Sequence, residues 1–284
     1  MARAVGMGTM GMTMRTSMRM SIRTTMRTSM HMTLPTTTPP SPRAFPSPSP
    51  STCTAQAAST TMTTGTDSAL LHLLWLASPA LPVGAFSYSE GLEAATDAGW
   101  VHDEASCATW LLNQLELVQA RAELPLVAAA HRAALAADGE ALQRLNAWVL
   151  STRESSEMLQ QTQQMGRSLM AWMQGLQLDT ALLQPLQPPT WPVAYAVAGA
   201  LRGAPLPGLL QAAAFGWAEN LVMAAVRGVP LGQSAGQRLL AQLVHAIPAA
   251  VDKALAAEAP MAFAPLLGIT SCRHETQYSR LFRS

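Results

Sequence analysis

The apolar positions of this chain recur with a helical period over most of its length. Cys107, Trp110, Leu111, Leu115 and Val118 are spaced so that they share one helix face. Met158, Thr162, Met165, Leu169, Trp172 and Leu176 alternate steps of four and three, a seam like that of a coiled coil. Leu240, Val244, Ile247, Val251 and Leu255 form another stripe, with Pro248 inside it as an expected kink. The same spacing predicts helices over Ser68–Ala77, Glu90–Ala98, Leu126–Ala137, Glu140–Leu150, Val193–Arg202 and Leu206–Arg227. Asp103 stands where an N-cap belongs, and Ser151 with Glu154 has capping-box spacing. Gly and Pro mark the breaks, as at Ala98-Gly99, Asp138-Gly139, Leu186-Gln187-Pro188-Pro189 and Gly228-Val229-Pro230. No stretch alternates with period two. The pattern predicts an all-α protein, one helical-bundle domain of roughly eight to ten helices.

Composition divides the 284 residues in two. Residues 1–66 hold eleven of the 17 methionines and six arginines, with no Asp, Glu or Lys. Residues 67–284 carry twelve basic and seventeen acidic side chains, so the formal +1 is a basic arm cancelling an acidic body. From Met14 the arm reads MRTS, MRMS, IRTT, MRTS, MHMT, and Thr/Pro/Ser-rich sequence follows from Thr36 to Thr64. Such a segment has little to bury, while ordering costs roughly 1–2 kcal/mol per residue, so an N-terminal disordered arm is expected. Three readings compete for it: an organelle transit peptide, a Cu(I) site at Met10, Met12 and Met14, or a repeat without function, with Met62 as an alternative start. Gly6 to Gly11 matches G-x-G-x-x-G, but no strand precedes it.

The overall charge makes no case for nucleic acid, which rests on the arm's arginines alone. Three cysteines exclude a disulfide scaffold and favour a reducing compartment such as the cytoplasm. Two uncharged stretches, Ser68–Ser89 and Thr180–Leu201, are cut by prolines and read as core helix plus loop, not as membrane spans.

Few residues offer bond-making chemistry. Gly232-Gln233-Ser234-Ala235-Gly236 fits G-x-S-x-G, and Asp252 and His274 follow in hydrolase order. The feeding segment contains Gly228 and Pro230, which a buried strand does not tolerate. A serine hydrolase using Ser234 therefore stays a minor alternative. His274-Glu275 would need histidine at Tyr278 to complete a zincin motif. Arg153, Glu154 and Glu157 group near one helix start, either a solvated surface or a contact. Two patches are richer in interface residue types. One is the loop Ser78–Glu93, with Phe86, Tyr88 and Glu90. The other is the tail Arg273–Ser284, with Tyr278, Arg280, Leu281, Phe282 and Arg283, read as mobile from about 270 to 284.

At these patches the sequence resembles the urease accessory protein F (UreF) family. The resemblance runs from LLHLLWLASPALPVGAFSYSEGLE through Gly99-Trp100, Arg153-Glu154, Met165-Gly166-Arg167, Asn220 and Val229-Pro230-Leu231-Gly232-Gln233 to the closing HETQYSRLFRS. The arm has no counterpart in it. The resemblance implies a non-enzymatic, dimeric helical scaffold. By this likeness it joins accessory protein D/H, recruits the nickel-carrying GTPase accessory protein G, and meets apo-urease for GTP-dependent nickel insertion. It implies no cofactor of its own. The likeness places the D/H contact on Phe86, Tyr88, Glu90, Tyr278, Arg280, Leu281, Phe282 and Arg283. Arg153, Glu154 and Glu157 are the candidate GTPase face. The tail is expected to become ordered on binding D/H, with Tyr278 and Phe282 filling apolar pockets there. The competing class is a metallochaperone that binds nickel through His274, Cys272 or the Met-rich arm. Nickel prefers nitrogen and oxygen to thioether donors, which argues against the arm.

Overall fold

The computed structural model describes residues 65–284, which belong to one compact unit; the repeat arm and its candidate metal, targeting and start features lie outside the described residues. Ten α-helices follow one another. They are α1 (Gly65–Ala77), α2 (Leu92–Asp97), α3 (Glu104–Gln114), α4 (Leu124–Leu135), α5 (Gly139–Thr152), α6 (Ser156–Gly175), α7 (Trp191–Leu201), α8 (Leu206–Gly228), α9 (Gln233–Ala256) and α10 (Pro265–His274). A short 3-10 turn occupies Ala85–Ser87. No strand occurs among the described residues.

The all-apolar sequence of α7 explains its place. Every residue from Pro192 to Gly199 is buried, because a helix without a polar face must be enclosed on all sides. It packs on α4 and α6, while α8 packs on α9 and α1. Both α8 and α9 are long and apolar enough to cross a membrane, yet Leu209, Leu210, Leu221, Leu239 and Leu243 from them are core residues. Asp103 caps α3 as expected, accepting from the Ser106 N–H at 2.8 Å. The capping residue of α6 is Ser155, which accepts from Met158 N–H, and not Ser151, which lies in the last turn of α5.

The stripe ending at Val118 and the helix predicted from Leu126 belong to one continuous helical run. A π-helical segment, Leu115–Glu123, joins α3 to α4 without interruption, and Pro125 lies just inside α4. In a continuous α-helix Pro125 would leave the carbonyl of Arg121 without its donor and would clash with it. Here that carbonyl accepts the Met261 N–H at 2.8 Å. The wider π turn reconciles a proline with a continuous helix, and it brings Glu123 to face Arg153. Similarly, α9 continues through Pro248.

Candidate functional site

The two interface-rich patches meet. The tail doubles back after α10, and Arg283 N–H donates to the Ser87 carbonyl at 2.8 Å. The carbonyl of Ser284 accepts from the Ser89 N–H at 2.8 Å and from its hydroxyl at 2.5 Å. The Ser284 hydroxyl donates to Gln161 on α6. Phe282 is 6% exposed and belongs to the main core. Arg227 of α8 lies over its ring, 4.9 Å from the centroid, and donates to the Phe86 carbonyl at 3.0 Å.

Three carboxylates hold α10 and the tail. Glu93 on α2 accepts the Leu281 N–H at 2.7 Å and the Phe282 N–H at 3.0 Å. Glu157 on α6 pairs with Arg280 and with His274. Glu275 caps the start of α6, accepting from the Ser156 hydroxyl and from the N–H groups of Ser156 and Glu157. Those donors hold the Glu275 carboxyl below its ordinary range. Gly91 lets α2 approach α10. It has φ 76°, and a Cβ there would sit 2.5 Å from Thr270 Oγ1.

The expected partner residues thus separate into two sets. Phe86 is 64% exposed, Leu281 71%, and Tyr278 fully so; Arg283 is exposed as well. Tyr88, at 5% exposure, and Phe282 are internal. The carboxylate of Glu90 accepts from Trp217 Nε1 at 2.9 Å and Gln161 Nε2 at 2.8 Å, and burial pushes its carboxyl above the ordinary range. It lines a pocket of about 110 Å³ together with Arg153, Glu123 and Tyr195. The structure places the tail against α2, α6 and the Ala85–Ser87 turn, where the sequence reading expects a mobile segment from about 270. Residues up to His274 are helical, and the Phe282 pocket is supplied by this chain itself.

Arg153, Glu154 and Glu157 do not form one solvated patch. Arg153 makes a bidentate pair with Glu123, at 2.6 and 3.1 Å, with little of either side chain exposed. Glu154 lies in the connection before α6, where its carbonyl accepts from Cys272 Sγ. Glu157 faces α10 and the tail. Sequence spacing grouped them, but the turn at Ser155 sends their side chains to different neighbours.

The hydrolase arrangement is not assembled. Ser234 lies in the first turn of α9, after an irregular segment with no strand. Asp252 sits on the same helix, about 27 Å further along its axis. His274 is enclosed between Glu93 and Glu157 at the end of α10, with both ring nitrogens turned to those carboxylates. Neither nitrogen is therefore free for a metal. No cluster of His, Cys, Asp and Glu able to hold a metal occurs among the described residues. Burial pushes the Cys107 thiol up to about 11, which suits packing and not reaction.

The UreF family model matches residues 101–244. A urease accessory protein UreF from Methylibium petroleiphilum is 57% identical over 222 residues, covering 76% of this chain and 94% of that protein. The chain belongs to the UreF family. A second UreF, from Paracidovorax citrulli, is 54% identical over 226 residues, again 76% of this chain and 90% of the relative. A bifunctional urease accessory protein UreEF from Bordetella bronchiseptica is 48% identical over 241 residues, 81% of this chain and 56% of that protein. Membership gives this UreF-family chain an accessory role in urease maturation.

Proposed function

We propose that the chain serves urease maturation as a non-catalytic scaffold in the cytoplasm, working as a homodimer. It binds accessory protein D/H and, with it, recruits the nickel-carrying GTPase accessory protein G to apo-urease. Nickel is the cargo of this assembly and not a resident cofactor. The observation that carries the reading is a set of large apolar side chains turned outward on a pinned backbone: Phe86, Tyr278 and Leu281. Such groups gain free energy only when something covers them, at about 25 cal/mol per Å² buried. Because the backbone is already ordered, docking costs less conformational entropy than ordering a free tail would.

In this reading Phe86, Tyr278, Leu281 and Arg283 touch D/H. Tyr88, Glu90 and Phe282 hold the contact segment in place from inside, and the exposed Arg280 fastens it to Glu157. Beside Phe86, an apolar groove lined by Pro79, Met223 and Arg227 extends the same face. Arg153 and Glu157 have internal partners, so we assign the GTPase no contact with them.

The test uses a strain lacking this gene. The full chain should restore nickel-loaded urease and co-purify D/H. A variant ending at Thr276 keeps His274 and Glu275 but lacks the contact segment. It should retain nearly all its helical circular dichroism, fail to co-purify D/H and leave urease inactive. Full urease activity with the shortened chain would contradict the proposal.

A further inference from the structure

Glu90 stands at φ 51°, in the left-handed region that a residue other than glycine enters at a cost. Its carboxylate lines the pocket between α4, α6, α7 and α8, where each oxygen accepts one N–H, from Gln161 and from Trp217. Both donors are neutral. Arg153, the guanidinium lining the same pocket, is committed to Glu123 through two bonds. A carboxylate has about four lone-pair sites, so Glu90 keeps acceptor capacity open.

Tyr195 lines the pocket as well. It is 1% exposed, and its hydroxyl has no hydrogen-bond partner. An unpaired buried hydroxyl is costly, so an occupant of the pocket is the partner it lacks. The surrounding wall is aromatic and apolar: Trp191 lies 5.0 Å from the Tyr195 ring, and Trp217 and Met165 join them. Aromatic faces beside a carboxylate suit an organic cation. The charge balance agrees. Glu90, Glu123 and Arg153 line the pocket, Glu154 lies close to Arg153, and Glu219 and Arg227 line the groove beside Phe86, so four acids stand against two bases. That groove, of about 410 Å³, shares Leu76, Ala85 and Trp191 with the pocket and gives it an entrance. The pocket itself measures about 110 Å³. A cavity of about 150 Å³ takes up benzene, which limits the occupant here to roughly six heavy atoms. A metal ion is poorly served, because no imidazole or thiol lines the pocket.

We propose that this pocket binds a primary alkylammonium group, its ammonium donating to Glu90 and to the Tyr195 hydroxyl and its stem lying against Trp191 and Trp217. The charge-assisted bond and the aromatic contact both strengthen where water is excluded. Such a group arrives either as a small free amine or as the lysine side chain of a protein docked on the Phe86 face. The second source rests on the reading of the D/H contact given above, whereas the site itself does not.

The experiment titrates the full chain with propylammonium chloride and follows the indole N–H resonance of Trp217 by NMR, with n-propanol as the neutral ligand of equal size and potassium chloride as the salt control. Propylammonium should shift the resonance saturably, potassium chloride should not, and n-propanol should bind about tenfold more weakly or worse. Glu90→Gln keeps the shape of the side chain and removes its charge. Its affinity for propylammonium should fall about tenfold or more, while that for n-propanol stays level. If that variant fails to fold, Tyr195→Phe, which takes away only the hydroxyl, should weaken propylammonium by about threefold to tenfold. The absence of a saturable shift, equal affinity for amine and alcohol, or binding untouched in a folded Glu90→Gln overturns the site. Repeating the titration with D/H bound separates the sources. Displacement of propylammonium identifies a partner lysine and undisturbed binding a free amine, and either result upholds the site. Failure of D/H to bind at all contradicts the partner reading and leaves the site standing.

Discussion

Gly166 shows how much a single missing side chain contributes. It lies on α6 against the loop before α7, where a Cβ would come within 2.2 Å of the Pro189 carbonyl oxygen. Asn146 holds that loop on its other side, donating to the Pro188 carbonyl and accepting from Thr190 N–H. Backbone bonded in this way cannot retreat. Gly166→Ala should therefore lower unfolding stability by about 2–3 kcal/mol, readable from urea denaturation. His131 acts through its proton. It is buried in α4, and burial lowers its pKa. In the unfolded chain the ring takes a proton near pH 6.5, while the folded ring resists it, so acid favours unfolding. Stability should fall as pH drops below about 6.5, and His131→Leu should reduce that loss by ~1 kcal/mol between about pH 7 and about pH 5. Equal pH slopes for the two proteins would show that another group dominates.

The elements themselves follow from patterns that sequence carries well. The seams on α3, α6 and α9 contain residues that are buried, among them Cys107, Leu111, Met158, Met165, Leu169, Ile247 and Val251. The Asp103 cap and the Pro188-Pro189 break likewise fall where expected. What periodicity misses is the π segment. Its phase differs from that of an α-helix, and the Arg121 carbonyl that Pro125 leaves without a donor is taken up by the distant Met261 N–H. The product of that segment is the Glu123–Arg153 pair, which ties it to the α5–α6 connection. Arg153→Ala leaves Glu123 buried without its partner and should cost about 3–5 kcal/mol. Arg153→Met combined with Glu123→Leu should recover most of it. Denaturation of both variants checks the sign, and a double variant no better than the single one would show that other contacts dominate.

At the scale of the whole molecule, the candidate site reads in sequence as two patches of interface residue types; that the two patches meet is visible only in the fold. Residue type marks Phe86 and Tyr88 alike, yet only the fold turns one outward and the other inward. His274 and Glu275 lack the second histidine of a zincin motif, and the folded chain uses both to fasten α10 and the tail onto α2 and α6. The carboxylates that matter, Glu93 and Glu157, come from distant helices, and no local motif connects them. The central claim is that an outward apolar face on this docked tail engages accessory protein D/H. Its most direct test is co-purification of D/H with a Phe86→Asp, Leu281→Asp variant. Both positions are exposed, so folding and thermal stability should stay near those of the unaltered chain. The account predicts loss of D/H from the purified complex; D/H retained at its normal ratio would contradict it.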